Sequence, residues 1–217
     1  MMKSAPCRLS ALAVLAAVIA PAHAVTSTFD LDAEGWTAQG DVAGAINWTA
    51  TGGNPGGHVN IDDRTAGGVT YFVAPAAFLG NKAAALGTNL TFDLMQVYTG
   101  SASQFDDPDV ILAGGGLTLV YDTAVNPANG SWTSYAVPLM AGDWKLNSLS
   151  GALATPHDMA TTLSNLTSLS IRAEYRSGAD VGHLDNVTLV PEPTTGAMVL
   201  VGLLAVGMGM WRQRRVG

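Results

Sequence analysis

Residues 183–189 read His183-Leu184-Asp185-Asn186-Val187-Thr188-Leu189. Polar and apolar side chains alternate, the mark of a strand with one wet face and one buried face. Working outward, Leu90-Thr91-Phe92-Asp93-Leu94, Leu117-Thr118-Leu119 and Leu169-Ser170-Ile171-Arg172-Ala173 repeat the pattern. Further strand-like runs cover Thr28 to Asp32, Gly57 to Ile61, Val69 to Val73, Val110 to Ala113 and Trp132 to Val137. Between them lie dense turn signals: TGGNPGG at 51–57, GTN at 87–89, GGG at 114–116, NPANG at 126–130 and SGAD at 177–180. Short helical turns are expected at Pro75 to Leu79 and Asp158 to Leu166. About nine short strands with Gly-rich turns predict an all-β fold, a two-sheet antiparallel jelly-roll-like sandwich.

The ends differ from this middle. Lys3 and Arg8 precede an apolar run from Leu9 to Ala20, and Ala22-His23-Ala24 supplies a small-x-small cleavage site. This layout predicts an N-terminal signal peptide over 1–24, removed by signal peptidase between Ala24 and Val25. At the other end, 16 uncharged residues run from Gly196 to Trp211 before Arg212, Arg214 and Arg215. They predict a single apolar transmembrane helix of about 24 Å, short for a bilayer core of about 30 Å. The arginines belong on the cytoplasmic side, which puts the preceding domain outside. Pro191-Glu192-Pro193 keeps the helix from starting earlier.

The order Pro-Glu-Pro, apolar helix, Arg cluster over 191–217 resembles the PEP-CTERM sorting signal of Gram-negative bacteria. The resemblance implies Pro191, Glu192, Pro193, Arg212, Arg214 and Arg215 as a label read by an exosortase. The protein would be anchored transiently in the inner membrane, then released to the cell surface or matrix.

The domain between the ends, 25–190, holds five basic and 16 acidic residues, a net charge of −11. Such a surface excludes nucleic-acid binding by phosphate neutralisation. The only cysteine, Cys7, lies in the leader, so the domain has no disulfide although an exported protein could form one. Stability then rests on the core or on a metal. Five Asn-x-Ser/Thr sites occur, at Asn47, Asn89, Asn129, Asn165 and Asn186. The bacterial tail makes them coincidence.

A wider resemblance rests on FDLDAEGWT, GGNPGGHV, YFVAPAAFLG, LTFDL, DVILAGGGLTL, SWTSYAVPL, LTSLSIRAEY and LDNVTL in that order. Together they are similar to a laminin B (laminin IV type A) domain, which implies an extracellular, non-enzymatic β-sandwich over residues 29–189. Its Cys-rich companion modules are missing from this chain. The sequence also resembles carbohydrate-binding sandwiches, in which an early acidic residue and a late Asp hold structural calcium. That resemblance implies Asp30, Asp32 and Asp185 as Ca²⁺ ligands, if first and last strands are neighbours.

Other candidates follow from residue type. Trp48, before the Gly-rich 51–57 stretch, is the tryptophan expected to be exposed and to stack on a sugar; Trp132, in an alternating strand, is expected in the core. Asp106-Asp107-Pro108-Asp109 reads as a solvated loop. His58, His157 and His183 are scattered without metal-site spacing, there is no Gly-x-Ser-x-Gly elbow, and the GGG run lacks the Lys-Ser/Thr of a phosphate loop. No catalytic residues are expected. The sequence predicts a secreted binding module, for exopolysaccharide or another matrix or envelope component, with a structural matrix or adhesion domain without a small ligand as the alternative and a cryptic glycan hydrolase as a third reading.

Overall fold

A computed structural model of the chain describes residues 24–40, 46–64 and 67–189. The predicted signal peptide up to residue 23, with Ala22, the sorting residues 191–193, the apolar helix over 196–211 and the arginines at 212, 214 and 215 lie outside the described residues. Among the described residues no helix is long and apolar enough to cross a membrane.

Among the described residues, twelve strands form two antiparallel sheets. They are β1 (Val25–Ser27), β2 (Thr37–Gln39), β3 (Asn47–Gly53), β4 (Gly56–Asp63), β5 (Tyr71–Val73), β6 (Asn89–Val97), β7 (Val110–Gly114), β8 (Leu117–Tyr121), β9 (Thr133–Pro138), β10 (Lys145–Leu146), β11 (Leu166–Arg172) and β12 (Asp180–Leu189). The first sheet runs β3-β4-β12-β6-β9, with β1 paired to the end of β12; the second runs β10-β8-β7-β11-β5-β2. First and last strands are indeed neighbours, with Val25 opposite Leu189.

The period-2 pattern sets what each strand buries. Leu90, Phe92 and Leu94 of β6, Val59 and Ile61 of β4, and Leu184 of β12 meet Val110, Leu112, Leu119, Leu169 and Ile171 of the other sheet in one core. Buried Trp36 and Trp144 keep their indole N–H groups satisfied, donating to Ser27 Oγ at 2.9 Å and Pro138 O at 2.7 Å. In the β7–β8 hairpin, Gly115 and Gly116 both take positive φ (58° and 80°), which a two-residue connection of this kind requires.

Two local expectations change. Thr28 to Asp32 is not a strand. Glu34 Oε1 accepts the amides of Thr28 (3.1 Å) and Phe29 (2.7 Å) and closes the segment into a turn, with Phe29 and Glu34 at positive φ. The helix α1 spans Pro156–Ser164, starting two residues before the expected Asp158. Thr155 and Asp158 form a capping box there, and Pro156 suits the first helical position.

β12 opens with Asp180, buried and directly opposite Asp63 of β4. Burial, reinforced by the Asp63 charge, pushes its carboxyl up to about 7. An unfolded Asp titrates near ~3.9, so between about pH 4 and pH 7 the folded state holds the extra proton and loses stability as pH rises. Asp180→Asn removes this term. Urea denaturation from pH 4 to 8 is expected to show variant and wild type equal near pH 4, with the variant gaining steadily towards pH 7. A pH-independent difference would mean that Asp180 is not displaced.

Candidate functional site

Arg172 closes β11. Alternation turns Ile171 inward and Arg172 towards the outer face of the second sheet, yet Arg172 is 1 % exposed. The segment before β7 folds over it. Phe105 O and Asp107 O accept from its two terminal nitrogens at 2.8 and 3.0 Å, Glu174 O accepts from Nε at 2.5 Å, and Asp109 pairs with Nη1 at 3.4 Å. The Phe105 and Tyr175 rings lie 4.6 and 4.5 Å from the guanidinium carbon. A buried cation is tolerable only with such complete pairing.

The acidic stretch 106–109 is solvated only in part: Asp106 is exposed as expected, Asp107 and Pro108 are half-buried, and Asp109 is not a solvated residue. Asp109 is buried, and its second oxygen accepts the Thr123 amide (2.9 Å) and hydroxyl. Asp107 accepts from the Tyr71 hydroxyl at 3.0 Å. Burial and the Asp107 charge hold that phenol protonated, its pKa well above the ordinary value.

Pinned this way, Asp106, Asp107 and Pro108 form one wall of a groove on the outer face of β7 and β8. Ile111, Thr118 and Val120 form its floor and residues 147–150 the opposite wall, around about 540 Å³. That volume lies in the range of about 300–1,000 Å³ typical of small-molecule clefts. An apolar floor between carboxylate, amide and hydroxyl walls suits a ligand with an apolar face and a hydroxyl rim.

The sequence-picked residues lie elsewhere. Trp48 sits on edge strand β3 of the first sheet, 38 % exposed, its indole donating to Phe29 O at 2.6 Å; it does not line the groove. Asp30 and Asp185 both face the β3–β4 turn. Asp185 accepts the amides of Asn54 (2.6 Å) and Asn186 (2.7 Å), and burial pushes its carboxyl up to about 6. Asp93 accepts the side-chain amides of Asn54 (3.1 Å) and Asn186 (2.8 Å). Asp30 accepts from the Thr28 hydroxyl at 3.0 Å, and Asp32 caps its own turn by accepting the Glu34 amide at 2.6 Å. Calcium needs six to eight oxygens; here the Asp185 oxygens already serve N–H donors. Among the described residues no three His, Cys, Asp or Glu side chains gather as a metal cage. Ala24 lies exposed just before β1.

Two features of the first sheet's outer face escaped the sequence. His58 and His183 are not scattered: His183 Nδ1 lies 3.0 Å from His58 Nε2. Burial lowers both rings' pKa, that of His183 to about 4 with a contribution from His58, so both are neutral at pH 7. Trp132 is not in the core. It lies half-buried against both histidines, ring centroids at 5.6 and 6.3 Å, and its indole donates to Gly52 O at 3.1 Å.

Residues 71–193 match the family described as Laminin B (Domain IV). The chain belongs to that family. This laminin B chain is 32% identical to laminin subunit gamma-2 of Homo sapiens over 184 residues, covering 81% of this chain and 14% of that protein. It is 32% identical to laminin subunit gamma-1 of Danio rerio over 177 residues, covering 77% and 10%. It thus spans only a small part of these curated relatives. Among solved structures, the L4b domain of human laminin alpha-2 superposes with a TM-score of 0.56 at 17% identity, over 76% of this chain and 95% of that one. The family 11 carbohydrate-binding module of the Clostridium thermocellum cellulase Lic26A-Cel5E superposes with a TM-score of 0.50 at 15% identity, over 78% and 95%. At these identities the likeness shows the sandwich fold alone.

Arg172→Met is expected to cost about 3–5 kcal/mol, because it leaves Asp109 buried without its cation. Urea denaturation measures the loss. Limited proteolysis should show new cleavage within 98–109 before the rest of the domain opens; unchanged stability and an unchanged digest would remove Arg172 as the pin of the groove wall.

Proposed function

We propose that this laminin B domain is an extracellular, non-enzymatic binding module whose groove over β7 and β8 takes a neutral polysaccharide. The observation that carries this reading is the groove itself: Ile111, backed by the nearly buried Val120, offers an apolar floor for a sugar face, and Asp106, Asp107 and 147–150 offer acceptors and donors for its hydroxyls. The net charge of −11 over 25–190 disfavours polyanions such as uronic-acid or sulfated chains. The fold is shared with a carbohydrate-binding module, which supports the reading without carrying it.

This reading invokes no cation in the groove. Calcium at Asp30, Asp32 and Asp185 is a separate proposal, acting on stability through the β3–β4 turn, and their present hydrogen bonds weigh against it.

We also propose that 1–24 and 191–217 direct export and sorting in a Gram-negative bacterium, through signal peptidase and an exosortase. Deleting 191–217 is expected to move the chain from the membrane fraction of a native host into the medium. Unchanged fractionation would mean the tail is not the address.

Binding is tested by affinity electrophoresis of the purified full chain in gels containing mixed-linkage glucan, xylan, agarose or alginate. Retardation by at least one neutral glycan and none by alginate is expected, with Ile111→Asp weakening it at least tenfold. Chelator should change nothing; calcium-dependent retardation would instead restore Asp30 and Asp185 as ligands. No retardation by any of the four would favour a structural matrix or protein–protein adhesion role.

A further inference from the structure

The first sheet carries a second cluster that the groove does not use. Leu184 of β12 faces Val59 of β4 and Leu94 of β6, and all three point into the core. Their neighbours therefore point outward. His183 stands directly opposite Met95, a pairing that brings Cβ atoms to about 4.5–5.5 Å. His58 lies on the same outer face of β4, diagonal to His183, with the ring nitrogens 3.0 Å apart. Leu94 pairs with Thr133, so Trp132 follows outward at the level of Met95 and borders both imidazoles.

His58 is 5 % exposed. Its other nitrogen, Nδ1, is buried with only the Thr51 backbone near it and no hydrogen bond of regular geometry. Placing the proton on that outer nitrogen, and the His183 proton on Nε2, leaves a free lone pair on each of the two facing nitrogens. A metal about 2.0 Å from each nitrogen would see them roughly 95° apart, and a separation of ~3.3 Å would give a tetrahedral angle. Met95, paired with His183 on the next strand, carries a thioether on the same outer face. Two imidazoles and one thioether, with no carboxylate, form a soft donor set suited to copper rather than to calcium or magnesium.

We propose that His58, His183 and Met95 form a binding site for a soft monovalent metal ion of the copper(I) class, shielded on one side by Trp132. Binding needs no net proton release and no change of oxidation state, since both rings bind as neutral imidazole and the ion enters as the monovalent species. The site is on the opposite sheet from the groove and does not depend on the glycan reading.

The test uses the full chain carrying Cys7→Ser, so that the only thiol does not compete. Silver(I) in chloride-free buffer and copper(I) under anaerobic competition with a chromophoric chelator are the probes. One ion per chain is expected to bind at micromolar affinity or tighter, with quenching of indole emission that Trp132→Phe largely removes. Met95→Leu, close in volume, should weaken binding at least tenfold, and His183→Gln should abolish it. Ring resonances of His58 and His183 should shift on loading, a readout independent of any variant's stability. Ile111→Asp should bind metal as wild type does. Absence of one-to-one binding, or binding unchanged in Met95→Leu and His183→Gln, overturns the site, as would unshifted His58 and His183 resonances.

Discussion

The buried guanidinium of Arg172 organises one whole side of this molecule. Backbone carbonyls at 105, 107 and 174, the Asp109 carboxylate and two aromatic rings converge on it. These partners belong to the segment before β7 and the segment after β11. With the cation in place, a segment with three acidic residues in four lies fixed against the sheet despite its mutual repulsion. The groove wall therefore follows from one side chain at the end of β11. What the wall leaves uncovered is the floor of Ile111, Thr118 and Val120.

Much of the fold was legible. The alternation in 183–189 and 90–94 marks the two central strands of the first sheet, and the GGG run marks the β7–β8 hairpin. Local chemistry that could have been read was partly missed. Thr155-Pro156-His157-Asp158 carries a complete capping box, and the helix starts there. Trp132 has the opposite parity to Tyr135 and Val137; since Val137 is buried, parity alone sends the indole outward.

Other parts were not legible. His58 and His183 are 125 residues apart, and only the β4–β12 register brings them together. Arg172 occupies an outward position of an alternating strand, where a cation reads as solvated; nothing local announces the loop that covers it. Thr28 to Asp32 mimics a strand in composition. The Glu34 carboxylate just beyond it and left-handed Phe29 turn it instead. In each case the deciding contact is non-local, or depends on a backbone conformation that residue type disfavours.

The pairing of β1 with the end of β12 has a mechanical consequence. Val25 and Leu189 lie side by side, so the described domain takes in its chain and returns it at nearly the same point. A unit with such adjoining ends can sit as a pendant in a longer polypeptide without adding to its contour length. Tension along that polypeptide would pass across the base of the domain, peeling β1 from β12 one hydrogen-bonded pair at a time, while the two faces stay unloaded.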